Sequence, residues 1–182
     1  EYETDWRKLI ERDDIDMIDI ATPPNAHKEI AIEAAKAGKI VFCEKPLARN
    51  PDEAKKMVKA AEENNVTLKV SSNLRYFPSV QKAKELINEI GDLLFFRGWI
   101  GNSGWQLKGW FSDPEMIGGG TLLDNGCHLI DLCLWFMGDV KECCGWITKI
   151  YHSIPDPLED NAFALLKFEN GAIASIHSSW TE

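Results

Sequence analysis

Two groups of residues in this sequence have the types and spacing to do chemistry. The first is Glu44-Lys45-Pro46, which ends the apolar run Ile40-Val41-Phe42-Cys43. A short apolar run of this kind reads as a buried strand. A parallel strand delivers the residues after it to the carboxyl edge of the sheet, where ligands bind in open α/β folds. A lysine there can hydrogen-bond or protonate an oxygen, and Pro46 fixes the turn and removes a donor. The plain alternative is a solvated ion pair where strand meets loop. The second group is Asp124, His128 and Asp131, at i, i+4 and i+7 in a segment that reads as one helix from Thr121 to Met137. At about 100° per residue they share one face within ~60° of arc. An Asp that orients or polarises a His suits proton transfer at an alcohol or carbonyl. A solvent-facing helix edge is the alternative. A metal site from Asp124, His128 and Cys127 is disfavoured, because Cys127 points about 100° away from His128. Gly118-Gly119-Gly120 ahead of the helix would let a ligand approach its start, or would serve as a loop hinge.

The elements that must position these groups follow from periodicity. Asp5 to Arg12 reads as the end of an amphipathic helix with Trp6, Leu9 and Ile10 inward. Ile15–Ile20, Ile40–Cys43 and Val66–Val70 read as strands, with helices between them. Asn25 is the expected cap of the first of these helices, and Gly38 closes it. Asn50, Pro51 and Glu53 predict a capping box at the second. Strand, helix, strand, helix, strand at this spacing is the pattern of parallel βαβ units. After Val70 the pattern changes. A helix from Pro78 carries Val80, Ala83, Leu86, Ile87 and Ile90, and a strand covers Leu93–Ile100. A long polar and aromatic loop spans Gly101–Gly120, then the helix Thr121–Met137, then strands at Val140–Tyr151, Ala162–Phe168 and Ala172–Trp180. Asn170-Gly171 is a hairpin turn signal. The fold class is therefore α/β plus α+β. Half of a parallel sheet is followed by a mixed, largely antiparallel open sheet with helices on one face. The expected domains are residues 1–70 and 71–182.

Composition excludes several classes. With 182 residues, 45% hydrophobic and 27% charged, the chain can bury a sizeable core. A net charge of −9 without a basic stripe argues against a nucleic-acid partner. No apolar run approaches the ~20 residues of a membrane span. The five cysteines, Cys43, Cys127, Cys133, Cys143 and Cys144, form no C-x-x-C pair, so neither a disulfide framework nor a structural metal is expected, and a cytoplasmic location is.

Three motifs now stand in order. They are Ala21-Thr22-Pro23-Pro24-Asn25-Ala26-His27, Cys43-Glu44-Lys45-Pro46-Leu47, and the run from Gly118 through Asp124 and His128 to Asp131. Together they resemble the glucose-fructose oxidoreductase / inositol dehydrogenase / rhizopine catabolism family of NAD(P)-dependent oxidoreductases, from end to end of the chain. The resemblance implies that residues 1–70 are an incomplete Rossmann domain and 71–182 a substrate and oligomerisation domain. It implies that Lys45 is the catalytic lysine on the reacting hydroxyl. It makes His128 the general base, supported by Asp124, although either Lys45 or His128 could be the main proton acceptor. Thr22, Pro23, Asn25 and His27 match the turn along the nicotinamide and its ribose, with Glu44 and Pro46 nearby and the Lys45–Pro46 bond a candidate for cis. Asn73 and Arg75 match a segment that reaches cofactor or substrate. The implied function is hydride transfer between NAD or NADP and a secondary alcohol of a sugar, cyclitol or nucleotide sugar. The alternatives are a sensing or regulatory member of the same fold, and NAD-assisted glycoside cleavage. The implied partners are a small sugar or cyclitol and further copies of the chain, meeting through the second sheet. Candidate apolar positions for that contact are Trp146, Ile150 and Trp180. Lys108, Trp110 and Asp113 could meet a polyhydroxylated ligand, while Trp105 and Trp110 could instead anchor the loop.

One departure from the family pattern matters. No G-x-G-x-x-G phosphate turn is present, nor the residue beyond it that separates NAD from NADP. The expectation is that roughly 70 residues precede this chain, that further strands follow it, and that it binds cofactor poorly alone.

Overall fold

In the computed structural model, residues 2–87, 89–103, 108–151 and 153–181 are described. Trp105 therefore lies outside the described residues. Contacts divide the chain into two compact units, Glu1–Ser71 with Glu115–Gly118, and Ser72–Pro114 with Gly119–Glu182.

The first unit opens with α1 (Trp6–Ile10), started by the Asp5 carboxylate accepting from the Arg7 amide. Strands β1 (Met17–Ile20), β2 (Ile40–Cys43) and β3 (Leu68–Val70) form a parallel sheet in the order β1-β2-β3, joined by α2 (Pro24–Lys36) and α3 (Pro51–Glu63). Ile20, Val41 and Cys43 on the strands pack with Ile30, Ala31, Ala34 and Met57 from the helices. Two expected caps differ from the reading above. Helix α2 begins at Pro24 behind Pro23, whose fixed φ already suits a helix start, so Asn25 sits inside the first turn as an exposed residue. At α3 the first half of the capping box forms, with the Glu53 amide donating to Asn50 Oδ1 at 3.0 Å. The return bond does not form, because the Glu53 carboxylate is taken by the Arg49 side chain and amide and by Lys28.

The second unit holds a 3-10 turn (Asn73–Tyr76), α4 (Pro78–Leu86), β4 (Phe95–Gly101), a 3-10 turn (Gly109–Ser112), α6 (Cys127–Met137), β5 (Val140–Thr148), β6 (Asn161–Phe168) and β7 (Ile173–Ser179). Helix α5 (Pro114–Ile117), inside the expected long loop, sits mostly with the first unit. The sheet order is β4-β7-β6-β5; β4 and β7 are parallel and the other pairs antiparallel. Leu129, Cys133 and Met137 of α6 pack on Leu166, Phe168, Ala174 and Ile176 of one sheet face. The segment expected as a single helix is helical throughout, from Thr121 to Met137, but its first turn is wider than an α-helix. Leu122–Gly126 is a π-helical turn, and regular α-helix runs over Cys127–Met137.

Candidate functional site

In the first unit the candidate residues sit on two turns at the carboxyl edge of the parallel sheet. Register fixes where β2 ends: the Glu44 amide donates to Ile20 O at 2.9 Å and the Ser71 amide to Cys43 O at 2.8 Å. Lys45 follows at once, half-buried, its amide donating to Glu44 Oε2 at 3.1 Å. The Lys45–Pro46 bond is cis, and Pro46 is buried. Burial first, and then the carboxylates of Glu44 and Asp19, push the Cys43 thiol up to about 12, so it is not a nucleophile beside the lysine. Thr22 and Asn25 are exposed and Pro23 half-buried on the turn after β1. His27 is different. It is wholly buried, and both ring nitrogens meet backbone carbonyls: Nδ1 at Pro46 O (3.1 Å) and Leu47 O (3.3 Å), Nε2 at Thr22 O (2.8 Å). The turn expected to run along a cofactor thus includes one residue that no dissolved ligand can touch.

In the second unit the π-turn places Asp124 before α6 proper, so the even 100° spacing assumed for Asp124 and His128 does not hold across it. Asp124 Oδ2 accepts from the indole Nε1 of Trp180 at 3.3 Å, and Trp180 is 1% exposed. His128 is half-buried in the first turn of α6. Asp131 is occupied. Arg75 grips it in bidentate fashion, Nε to Oδ2 at 2.7 Å and Nη2 to Oδ1 at 2.6 Å, with the guanidinium 5.3 Å from the Trp135 ring. A bidentate pair of this kind ties the Asn73–Tyr76 turn to α6 with two of the five Arg75 donors. Lys108 is exposed, and Trp110 and Asp113 are half-buried; Trp110 stacks on Phe111 with centroids 3.8 Å apart. Among the described residues no group of three or more His, Cys, Asp or Glu is placed to hold a metal ion.

The glycine run does not leave an open helix start. The Glu159 carboxylate accepts from the Gly120 amide at 2.9 Å and the Leu122 amide at 2.8 Å, while Glu159 O accepts from the Thr121 amide at 3.0 Å. A Cβ on Gly120 would lie 1.9 Å from Glu159 O, so the glycine is there to let this internal acid approach. No local signal in the sequence joins positions 39 residues apart.

Three helix starts next to the candidate residues are unsuited to a phosphate. Pro23 and Pro24 remove two amide donors from the start of α2. At α3, Pro51 has no amide hydrogen and Asn50 Oδ1 already accepts from the Glu53 amide. Glu159 fills the third. The turns after β1 and β2 still present polar and half-buried groups suited to a nicotinamide and its ribose. These two turns fit that end of a dinucleotide, and the three helix starts do not fit its pyrophosphate.

Known proteins match this chain closely. The model described as "GFO/IDH/MocA C-terminal domain" matches residues 80–182, and "Oxidoreductase family, NAD-binding Rossmann fold" matches residues 1–72. The chain belongs to the GFO/IDH/MocA oxidoreductase family. Levoglucosan dehydrogenase of Pseudarthrobacter phenanthrenivorans is 34% identical, over 97% of this chain and 52% of its own length. The 2,7-anhydro-N-acetylneuraminate hydratase of Escherichia coli is also 34% identical, over 89% of this chain and 45% of its own. The solved structure of levoglucosan dehydrogenase with NADH and levoglucosan superposes with a TM-score of 0.92 at 34% identity, covering 99% of this chain and 52% of that one. The chain spans about half the length of these relatives. The family match bears out the resemblance and the fold class, a Rossmann-like parallel sheet followed by a mixed sheet. No helix among the described residues is long and apolar enough to cross a membrane.

Proposed function

We propose that this chain serves an NAD(P)-dependent oxidoreductase acting on a secondary alcohol of a sugar or cyclitol. The observation that carries the reading is the half-buried Lys45 at the carboxyl edge of the parallel sheet, on a turn held from both sides, in a family whose members bind NADH. When bound, the nicotinamide supplies the hydride acceptor. Lys45 hydrogen-bonds the reacting oxygen and stabilises its alkoxide character as the C–H bond breaks. His128 takes the hydroxyl proton, with Asp124, itself held by Trp180, supporting it. Thr22, Pro23, Asn25, Glu44 and Pro46 line the nicotinamide side. His27 leaves the set of direct contacts, because its ring is wholly buried against backbone carbonyls, while Arg75, a third exposed and with donors beyond its pair with Asp131, stays in it. The domains divide as 1–70 for cofactor and 71–182 for substrate and assembly. Copies of the chain assemble through the outer face of the second sheet, and the protein works in the cytoplasm.

The test is steady-state kinetics, with a sugar panel, of the longest natural polypeptide that carries this chain, following reduced-nicotinamide absorbance. Lys45→Ala should lower kcat/KM by about 10³-fold or more, the scale of one preorganised charge. A loss below tenfold would remove Lys45 from the mechanism. The hydratase relative, 34% identical like the dehydrogenase but over less of this chain, favours a second reading in which oxidation is transient and the net product is not oxidised. Analysis of the sugar product alongside the absorbance trace separates the two.

A further inference from the structure

We infer that His27 is a positioning residue for Lys45: it ties the turn that carries the amine to the turn after β1 without touching substrate or cofactor itself. The inference rests on the reading of Lys45 as the group on the reacting oxygen. His27 is 0% exposed, so its ring is beyond the reach of any ligand. All three of its polar contacts are main-chain carbonyls of the two turns, Thr22 on one side and Pro46 and Leu47 on the other. A carbonyl oxygen only accepts, and an imidazole with a single N–H donates on one side only, so holding the Pro46 and Leu47 side requires the hydrogen on Nδ1, with Nε2 packed against Thr22 O. An aliphatic side chain would fill the same volume without desolvating two polar atoms, so the ring is explained by what it holds.

What it holds is adjacent to the lysine. Pro46 follows Lys45 directly, and its ring fixes φ, which leaves ψ of Pro46 as the one soft dihedral between the held carbonyl and Lys45. On the near side β2 is pinned through Glu44 and Cys43 by hydrogen bonds to Ile20 and Ser71. The strand end and the histidine therefore bracket a single residue, the lysine. Placement within about half an ångström is what such a group requires, and a 1 Å error costs roughly 10²-fold.

Two conservative replacements divide the ring's roles. The amide nitrogen of Asn reaches about where Nδ1 sits, and that of Gln about where Nε2 sits. In the longest natural polypeptide carrying this chain, His27→Asn keeps the Pro46 and Leu47 side and should retain kcat within about 3-fold. His27→Gln keeps only the Thr22 side and should lose about 10²-fold in kcat per NADH-binding site. The gap should close when Lys45 is already Ala. The primary deuterium isotope effect on kcat/KM should rise in His27→Gln, and it does not depend on how much enzyme is folded. Equal kcat in the Asn and Gln variants, an unchanged isotope effect, or a gap that persists without Lys45 would overturn the inference alone. A wild type with no sugar-dependent nicotinamide reduction, or one indifferent to Lys45→Ala, would overturn the proposed function and this inference with it.

Discussion

Glu53 shows how one side chain gathers charge at the start of a helix. Its carboxylate is 8% exposed and accepts from Arg49 Nε at 3.2 Å, the Arg49 amide at 3.3 Å and Lys28 Nζ at 3.2 Å. The Arg49 hydrogen bond, working against burial and aided by Lys28, lowers the Glu53 carboxyl from 4.5 to about 2. A depressed carboxylate stabilises the fold above its unfolded value, and that stability is lost as pH falls from about 4.5 to about 2. The full shift corresponds to ~3 kcal/mol, reduced because Arg49 and Lys28 are 25% and 34% exposed. Glu53→Gln should lower stability at pH 7 by about 2 kcal/mol, and the gap should shrink toward zero near pH 2. Urea midpoints across that range check this; a constant gap would mean that lost packing, not charge, is responsible. The sequence showed the Asn50 cap because a cap is local. Lys28 lies 25 residues away, and the contact of His27 with Pro46 spans 19, so neither role has a local sequence pattern.

At the scale of elements, strands and helices were legible where one period dominates, as in α2, α3 and β2. The π-turn was not. Nothing in the apolar spacing of Thr121–Met137 marks an inserted residue, and the acid that occupies its start comes from the far side of β5. The second sheet was legible as strands but not as faces. In β6 the inward residues Ala162, Ala164, Leu166 and Phe168 alternate with Phe163, Leu165 and Lys167, so both faces read as apolar. Trp180, a candidate for the outer face, is instead core, while Trp146 and Ile150 are 69% and 58% exposed. Register aligns Trp99, His177, Phe163 and Trp146 in one row across all four strands, with Phe163 and His177 stacked at 3.9 Å. Aromatic rows of that kind need cover. Trp146→Glu with Phe163→Glu should shift the protein to a lower oligomer in sedimentation velocity. A wild type that is monomeric at micromolar concentration would leave the outer face without a second copy to cover it.

For the molecule as a whole, the absence of a glycine-rich turn from the sequence and the state of three of its helix starts point the same way. A dinucleotide is anchored chiefly by its pyrophosphate on free amides at a helix N-terminus. Here prolines, the Asn50 cap and an internal carboxylate take those starts in α2, α3 and the turn before α6. What remains is the nicotinamide end, with the polar groups after β1 and β2. Micromolar binding requires about 8 kcal/mol. A few hydrogen bonds at ~1 kcal/mol each do not reach it once the ordering of the ligand is counted. Titrating the 182-residue chain with NADH should therefore give little change in nicotinamide fluorescence up to about 100 μM, where binding weaker than ~5 kcal/mol stays unsaturated. Saturable micromolar binding would mean that the phosphates find donors other than these three helix starts.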